Sequence, residues 1–157
     1  MPRRFAVPLL LFVLATSILA QASPAAAGQV EKSFPFALDR WCDVEVNDGP
    51  VTIHRVRVEL MKGGVTKSSF VRPGNTDFLE TVRVVVEYSN KDPKNDWKAD
   101  LDVTWVDAAG KVIDGYRDDE NIDNDARKED IHAMISTLKY GLEKAKSLKV
   151  KIDFHPE

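Results

Sequence analysis

From Trp97 to Trp105 the chain alternates without a break. Trp97, Ala99, Leu101, Val103 and Trp105 fall on one face, and Lys98, Asp100, Asp102 and Thr104 on the other. An extended backbone sends successive side chains to opposite faces, so this pattern buries one face and wets the other. A helical period of 3.6 would scatter the same residues around its axis. Thr81 to Tyr88 repeats the device: Val82, Val84, Val86 and Tyr88 face one way, Arg83 and Glu87 the other, with Val85 the exception. The two segments are expected to pair as an antiparallel hairpin across the polar connection Ser89 to Asp96.

Further strands are expected where apolar residues alternate between turn formers. Trp41 to Val46 puts Cys42, Val44 and Val46 on one face. Val51 to Met61 sets Val56, Val58 and Leu60 against Arg55, Arg57 and Glu59. Val65 to Val71 is a weaker candidate, Lys111 to Tyr116 begins another, and 148–154 closes the chain as a strand. Asn47-Asp48-Gly49-Pro50, Lys62-Gly63-Gly64 and Asp107-Ala108-Ala109-Gly110 are turns. One segment departs from the period of two. Ile131, Ile135, Leu138, Leu142 and Ala145 recur at three- and four-residue spacing, with Met134 beside them. That spacing predicts an amphipathic helix over about 125–147, capped by Asp123, Asn124 or Asp125, with lysines crowding its end. The expected fold class is mainly β, an immunoglobulin-like β-sandwich with one C-terminal amphipathic helix. The alternative is an α+β layer with that helix packed on an antiparallel sheet.

The first residues belong to a different regime. Arg3 and Arg4 precede an apolar run from Phe5 to Ala20, and Ala20-Gln21-Ala22 follows. Basic head, apolar middle and small-x-small exit are the parts of a secretory signal peptide. The run is 16 residues long, broken by Pro8, Thr16 and Ser17, and falls short of the roughly 20 apolar residues that a spanning helix needs. Residues 1–22 are therefore expected to be cleaved, with cleavage after Ala27 as the alternative. Residues 23–33, rich in Ala, Pro and Gly, are expected to be a flexible leader, and 34–157 a single β-rich domain. The expected location is periplasmic or extracellular, with no membrane insertion after cleavage. No cysteine sits just after the apolar run, so lipid attachment at a new N-terminal cysteine has no support.

Charge narrows the partners. Without residues 1–27, which carry two arginines and no acid, 20 basic side chains face 25 acidic ones. A mildly acidic chain without a basic run is a poor nucleic-acid binder, because phosphate binding needs clustered Lys and Arg. Lys139, Lys144, Lys146, Lys149 and Lys151 alternate with apolar positions and read as the wet side of a helix and a strand. Cys42 is the only cysteine. It excludes an internal disulfide and reads first as a buried apolar thiol, then as an intermolecular link.

The most site-like stretch runs from Asp114 to Asp130. Asp119, Asn121, Asp123, Asp125 and Asp130 approach the spacing of a calcium loop, in which oxygen ligands wrap a hard cation. Asn124 stands where that loop wants glycine, and Asp130 replaces the longer closing glutamate. The competing expectation is a solvated acidic loop, and no cofactor other than calcium is suggested. His54, His132 and His155 show no metal-binding spacing. Ser68, Ser69 and Ser89 lack a nucleophile elbow and an implied partner. Among the aromatic residues, Phe34, Phe36 and Trp41 are the expected partner contacts, because they lie near the start of the domain.

The stretch Val103-Thr104-Trp105-Val106-Asp107-Ala108-Ala109-Gly110-Lys111-Val112-Ile113 resembles a known hairpin. A strand ending in an acid, a short Gly turn, then Lys and two apolar residues is similar to the middle hairpin of FxLyD-type immunoglobulin-like domains of exported bacterial proteins. The resemblance covers about a third of the chain and implies a sandwich without catalytic residues. The expected function is an exported, non-catalytic module that binds a protein or an envelope component. A calcium- or small-ligand-binding module and an enzyme or enzyme inhibitor with a loop-borne site are the alternatives.

Overall fold

The computed structural model of the protein describes residues 30–61 and 78–156. Among the described residues, eight strands and one short helix follow in order: β1 (Val30–Pro35), β2 (Cys42–Asp48), β3 (Val51–Leu60), β4 (Leu79–Asn90), β5 (Trp97–Val106), β6 (Val112–Ile122), β7 (Arg127–Leu138), α1 (Lys139–Lys144) and β8 (Ser147–Pro156). They form two antiparallel four-stranded sheets, ordered β1-β8-β5-β6 and β2-β3-β4-β7. The fold is a β-sandwich, as the alternating segments predict. Immunoglobulin domains order their strands A-B-E-D and C-F-G; here β2, β3 and β4 run as a meander within one sheet, with β7 beside β4.

The inner faces carry the expected residues. Ala99, Leu101, Val103 and Trp105 from one sheet meet Val82, Val84, Val86 and Tyr88 from the other, all buried. Burial of such side chains, at about 25 cal/mol per Å² of apolar surface, is the main term holding the layers together. Phe154, Ile152 and Val150 of β8 lie beside β5 in register, with Leu101 opposite Ile152. Polar contacts also join the sheets at their margins. The Lys32 ammonium on β1 donates to the Val44 carbonyl on β2. The Thr137 hydroxyl on β7 donates to Asp114 on β6 at 2.6 Å.

Three expectations are corrected, and two fall outside the described residues. The segment predicted as a helix over 125–147 is strand β7 from Arg127 to Leu138, followed by six residues of helix. Ile131, Ala133, Ile135 and Thr137 turn inward at a period of two, while His132, Met134, Ser136 and Leu138 turn outward. The long pairing with β4, from Leu79↔Leu138 to Ser89↔Arg127, decides the conformation. Local helix preference is weak and yields to such pairing. Asp123 to Asp125 form the β6–β7 connection instead of a helix cap, with Asp125 at φ 47.

The predicted hairpin between Thr81–Tyr88 and Trp97–Trp105 does not form. β4 and β5 belong to different sheets, and the connection from Lys91 to Asp96 crosses between layers. Both strands bury their apolar face in the same core from opposite sides. Alternation specifies a buried face and leaves the neighbour open. Residues 30–33 of the expected leader belong to β1, which pairs with β8 from Val30↔Ile152 to Pro35↔Ser147. Val30 and Phe34 alone carry its apolar side, too few for alternation to register. The signal-peptide segment 1–22 and the candidate strand 65–71 lie outside the described residues.

Candidate functional site

The acidic stretch does not curl into a loop. Asp119 and Asn121 lie in β6, opposite Asp100 and Lys98 of β5. Asp123 and Asp125 occupy the turn, and Asp130 stands on β7 opposite Glu87, in the other sheet. Among the described residues, no group of three or more His, Cys, Asp or Glu side chains is placed to hold a metal ion. The outer face of the β5 sheet carries one acidic row across three strands, Asp119–Asp100–Asp153. Like charges directly opposite one another repel. Lys98 reaches Asp119 at 3.9 Å, and Arg117 pairs with Asp102 in the next row.

The three expected contact aromatics do different things. Phe34 and Phe36 are half-buried against the core, and the Phe36 ring lies 6.1 Å from Trp105. Trp41 lies beneath cations: the Arg55 and Arg57 guanidinium carbons stand 4.3 and 4.2 Å from its ring centre. Those arginines are tied in turn to Glu87 and Glu59, so Trp41 belongs to an ion-pair lattice on the outer face of the meander.

Three residues that the sequence offered no reason to group meet on that sheet. The His54 Nε2 lies 2.8 Å from Ser89 Oγ, and its Nδ1 lies 3.6 Å from the Glu45 carboxylate. Each sits at an irregularity of its ladder: Asp43/Val46 in β2, Ile53/Arg55 in β3 and Tyr88/Ser89 against β7. Bulges re-aim side chains, and here they line up carboxylate, imidazole and hydroxyl in the order of an acyl-transfer triad. The Ser89 oxygen also accepts from the Lys128 backbone N–H at 3.0 Å. Lys128 and Glu45 both hold positive φ, at 59° and 44°. The arrangement pins the irregular ends of β2, β3, β4 and β7 together.

The exposed apolar surface gathers at one end of the sandwich. A groove of about 680 Å3 opens between the β5–β6 turn and α1. Ile113 and Gly141 form its more buried side, Val112, Leu138 and Tyr140 its open walls. A second cavity of about 350 Å3 shares Leu138 and Tyr140 and adds Phe78. Val112, Leu138, Tyr140 and Phe78 are each more than half exposed. The only other large apolar side chain so exposed among the described residues is Met134, four residues earlier on β7.

Local geometry explains the groove. Gly141 has no side chain to hold α1 away from β6; a Cβ there would lie 2.8 Å from Ile113 Cγ2. A helix of six residues is not stable alone, and burial of Leu142 and Gly141 holds it. The turn opposite is fixed by Asp107, whose carboxylate accepts from the Ala109 and Lys111 backbone N–H groups at 2.9 Å each. The rim is basic. Lys111, Lys144 and Lys146 line the groove and have no carboxylate partner among the described residues. Lys139 is paired with Glu80 at 3.3 Å.

No protein-family model matches the chain, and no curated protein matches its sequence at a significant level. The hairpin that carries the FxLyD resemblance is present as β5 and β6 with the Asp107–Lys111 turn between them.

Proposed function

We propose that the chain is an exported, non-catalytic β-sandwich module that binds a protein or an envelope component through the groove between the β5–β6 turn and α1. One observation carries this reading. Four of the five large apolar side chains left most exposed among the described residues converge on that groove and the cavity adjoining it. Exposed apolar groups scattered singly need no explanation, whereas a contiguous patch with a polar rim marks an interaction surface. Export is supported by the three-part pattern of residues 1–22. The test is a photo-crosslinking residue placed at Tyr140 in the full chain expressed in a bacterial host. A discrete adduct at Tyr140, absent when the same residue replaces Asp100, supports the reading. N-terminal sequencing of the exported product should begin at Ser23, or at Gly28 for the alternative cleavage.

A second reading rests on the Glu45–His54–Ser89 line. In it Ser89 is an acyl-transfer nucleophile, His54 its base and Glu45 the orienting carboxylate. Its mark is stoichiometric labelling by a fluorophosphonate that disappears in Ser89→Ala. An unlabelled wild-type protein removes it.

A further inference from the structure

We infer that the groove takes an acidic peptide segment carrying apolar side chains, held by Val112, Leu138 and Tyr140 and by the ammonium groups of Lys111, Lys144 and Lys146. The inference rests on the binding role proposed above and names the chemistry of the partner. Charge decides it. Once residues 1–27 are set aside the chain is acidic, yet the groove is rimmed by three cations without carboxylate partners among the described residues. Of the acids nearby, Asp107 accepts from two backbone N–H groups of its own turn, Asp114 accepts from the Thr137 hydroxyl, Glu80 is paired with Lys139, and Glu143 lines the adjoining cavity beyond Tyr140. A segment presenting carboxylates outward and leucine or phenylalanine inward would satisfy both halves of the site.

Shape selects a peptide over a bilayer. The apolar groups wall a concavity of about 680 Å3, which lies within the usual range of pockets that seat discrete groups. A bilayer interface engages a long amphipathic face laid in its plane, and α1 has six residues. The Lys144 ammonium stands 5.2 Å from the Tyr140 ring, so charge and apolar surface are presented together. A carboxylate arriving there would sit within reach of the cation while its neighbouring side chain covers the ring.

The experiment uses the full chain as purified after export, and three synthetic peptides of about nine residues. One alternates glutamate with leucine and phenylalanine; one has lysine for each glutamate; one keeps the glutamates and has serine for each apolar residue. The glutamate–leucine–phenylalanine peptide should bind at least about tenfold tighter than either control, and more weakly as salt rises. Lys144→Glu with Lys146→Glu should weaken it by about tenfold, the scale expected for losing two exposed charge contacts. Leu138→Ser should weaken it severalfold while leaving the melting temperature close to wild type, since Leu138 is exposed. Equal binding of the lysine peptide, or loss of all discrimination, overturns the inference. So does binding to phosphatidylglycerol vesicles through the same residues with no peptide bound. A discrete Tyr140 crosslink in cells, with none of the peptides bound, overturns the acidic-peptide partner and leaves the binding role standing. Absence of both overturns the two together.

Discussion

The Thr137 hydroxyl donates to Asp114 Oδ2 at 2.6 Å, and it does so from one sheet to the other. Thr137 is buried on β7, and Asp114 is half-buried on β6. The pair stands beside the groove, between its Ile113 side and its Leu138 wall. Thr137→Val keeps the β-branched shape and strips one donor from a carboxylate. It should destabilise the fold by about 1.5–3 kcal/mol, as expected for a hydrogen bond to a charged group. Urea denaturation checks the value, and a double-mutant cycle with Asp114→Asn should return a coupling of about 1 kcal/mol.

Gly115 is the position where β6 can least accept a side chain. A Cβ there would lie 2.5 Å from the Val103 carbonyl oxygen and 2.7 Å from Thr104 Cα. Both are backbone atoms of β5, so no rotamer change relieves the clash. Gly115→Ala should cost about 2–3 kcal/mol, the scale of overpacking. Gly141→Ala meets side-chain atoms only, the Ile113 Cγ2 methyl at 2.8 Å and Leu138 Cβ at 3.8 Å, and should cost less. Thermal unfolding of the two variants side by side tests the ranking.

Burial pushes the Tyr88 hydroxyl up from its ordinary 10.0 to about 12, with the nearby Asp123 and Glu129 charges adding to the shift. The folded state therefore holds this proton more tightly than the unfolded chain. Stability from this group is fully present below pH 10 and declines as pH rises from 10 toward 12. Tyr116, whose hydroxyl donates to Glu120, is shifted in the same direction. Tyr88→Phe should flatten the alkaline limb of the stability profile; an unchanged limb would contradict the assignment.

Cys42 faces the core, and burial first of all pushes its thiol above the usual 9.0; Arg40 pulls it down and Asp43 pushes it up. Only the thiolate is a good nucleophile. The native protein should react with an aromatic disulfide reagent at least about a hundredfold more slowly than the urea-unfolded chain. Its mobility on non-reducing electrophoresis should be that of a monomer. Rapid native labelling would place the thiol at the surface.

Much of the fold is legible in the sequence. The inward faces of β2, β3, β4 and β5 are those that alternation assigns, down to Val85, which breaks the pattern and is buried on the outer face opposite Arg57. The acidic run misleads, because charge suggests a solvated loop while Asp118 to Asn121 are extended strand in the β5 ladder. The helix over 125–147 misleads for a different reason. Outward-facing Met134 and Leu138 are apolar, and inward-facing Ala133 and Thr137 are barely so, which turns a period of two into an apparent period near four. The groove is scattered through the chain: Val112 and Tyr140 are far apart in sequence, and its lysines read locally as the wet side of an element.

By itself the sequence determined that this chain is built mainly from strands and which side chains β2, β3, β4 and β5 hide, because the side-chain period is a property of the extended backbone. Only the tertiary structure decided which strand lies beside which, that β4 and β5 part into separate layers, and that β7 is a strand. It also decided that Glu45, His54 and Ser89 meet, and that Val112, Leu138 and Tyr140 share one groove. Those outcomes depend on the ladder edges and core space that distant segments offer one another, which no local window of residues contains.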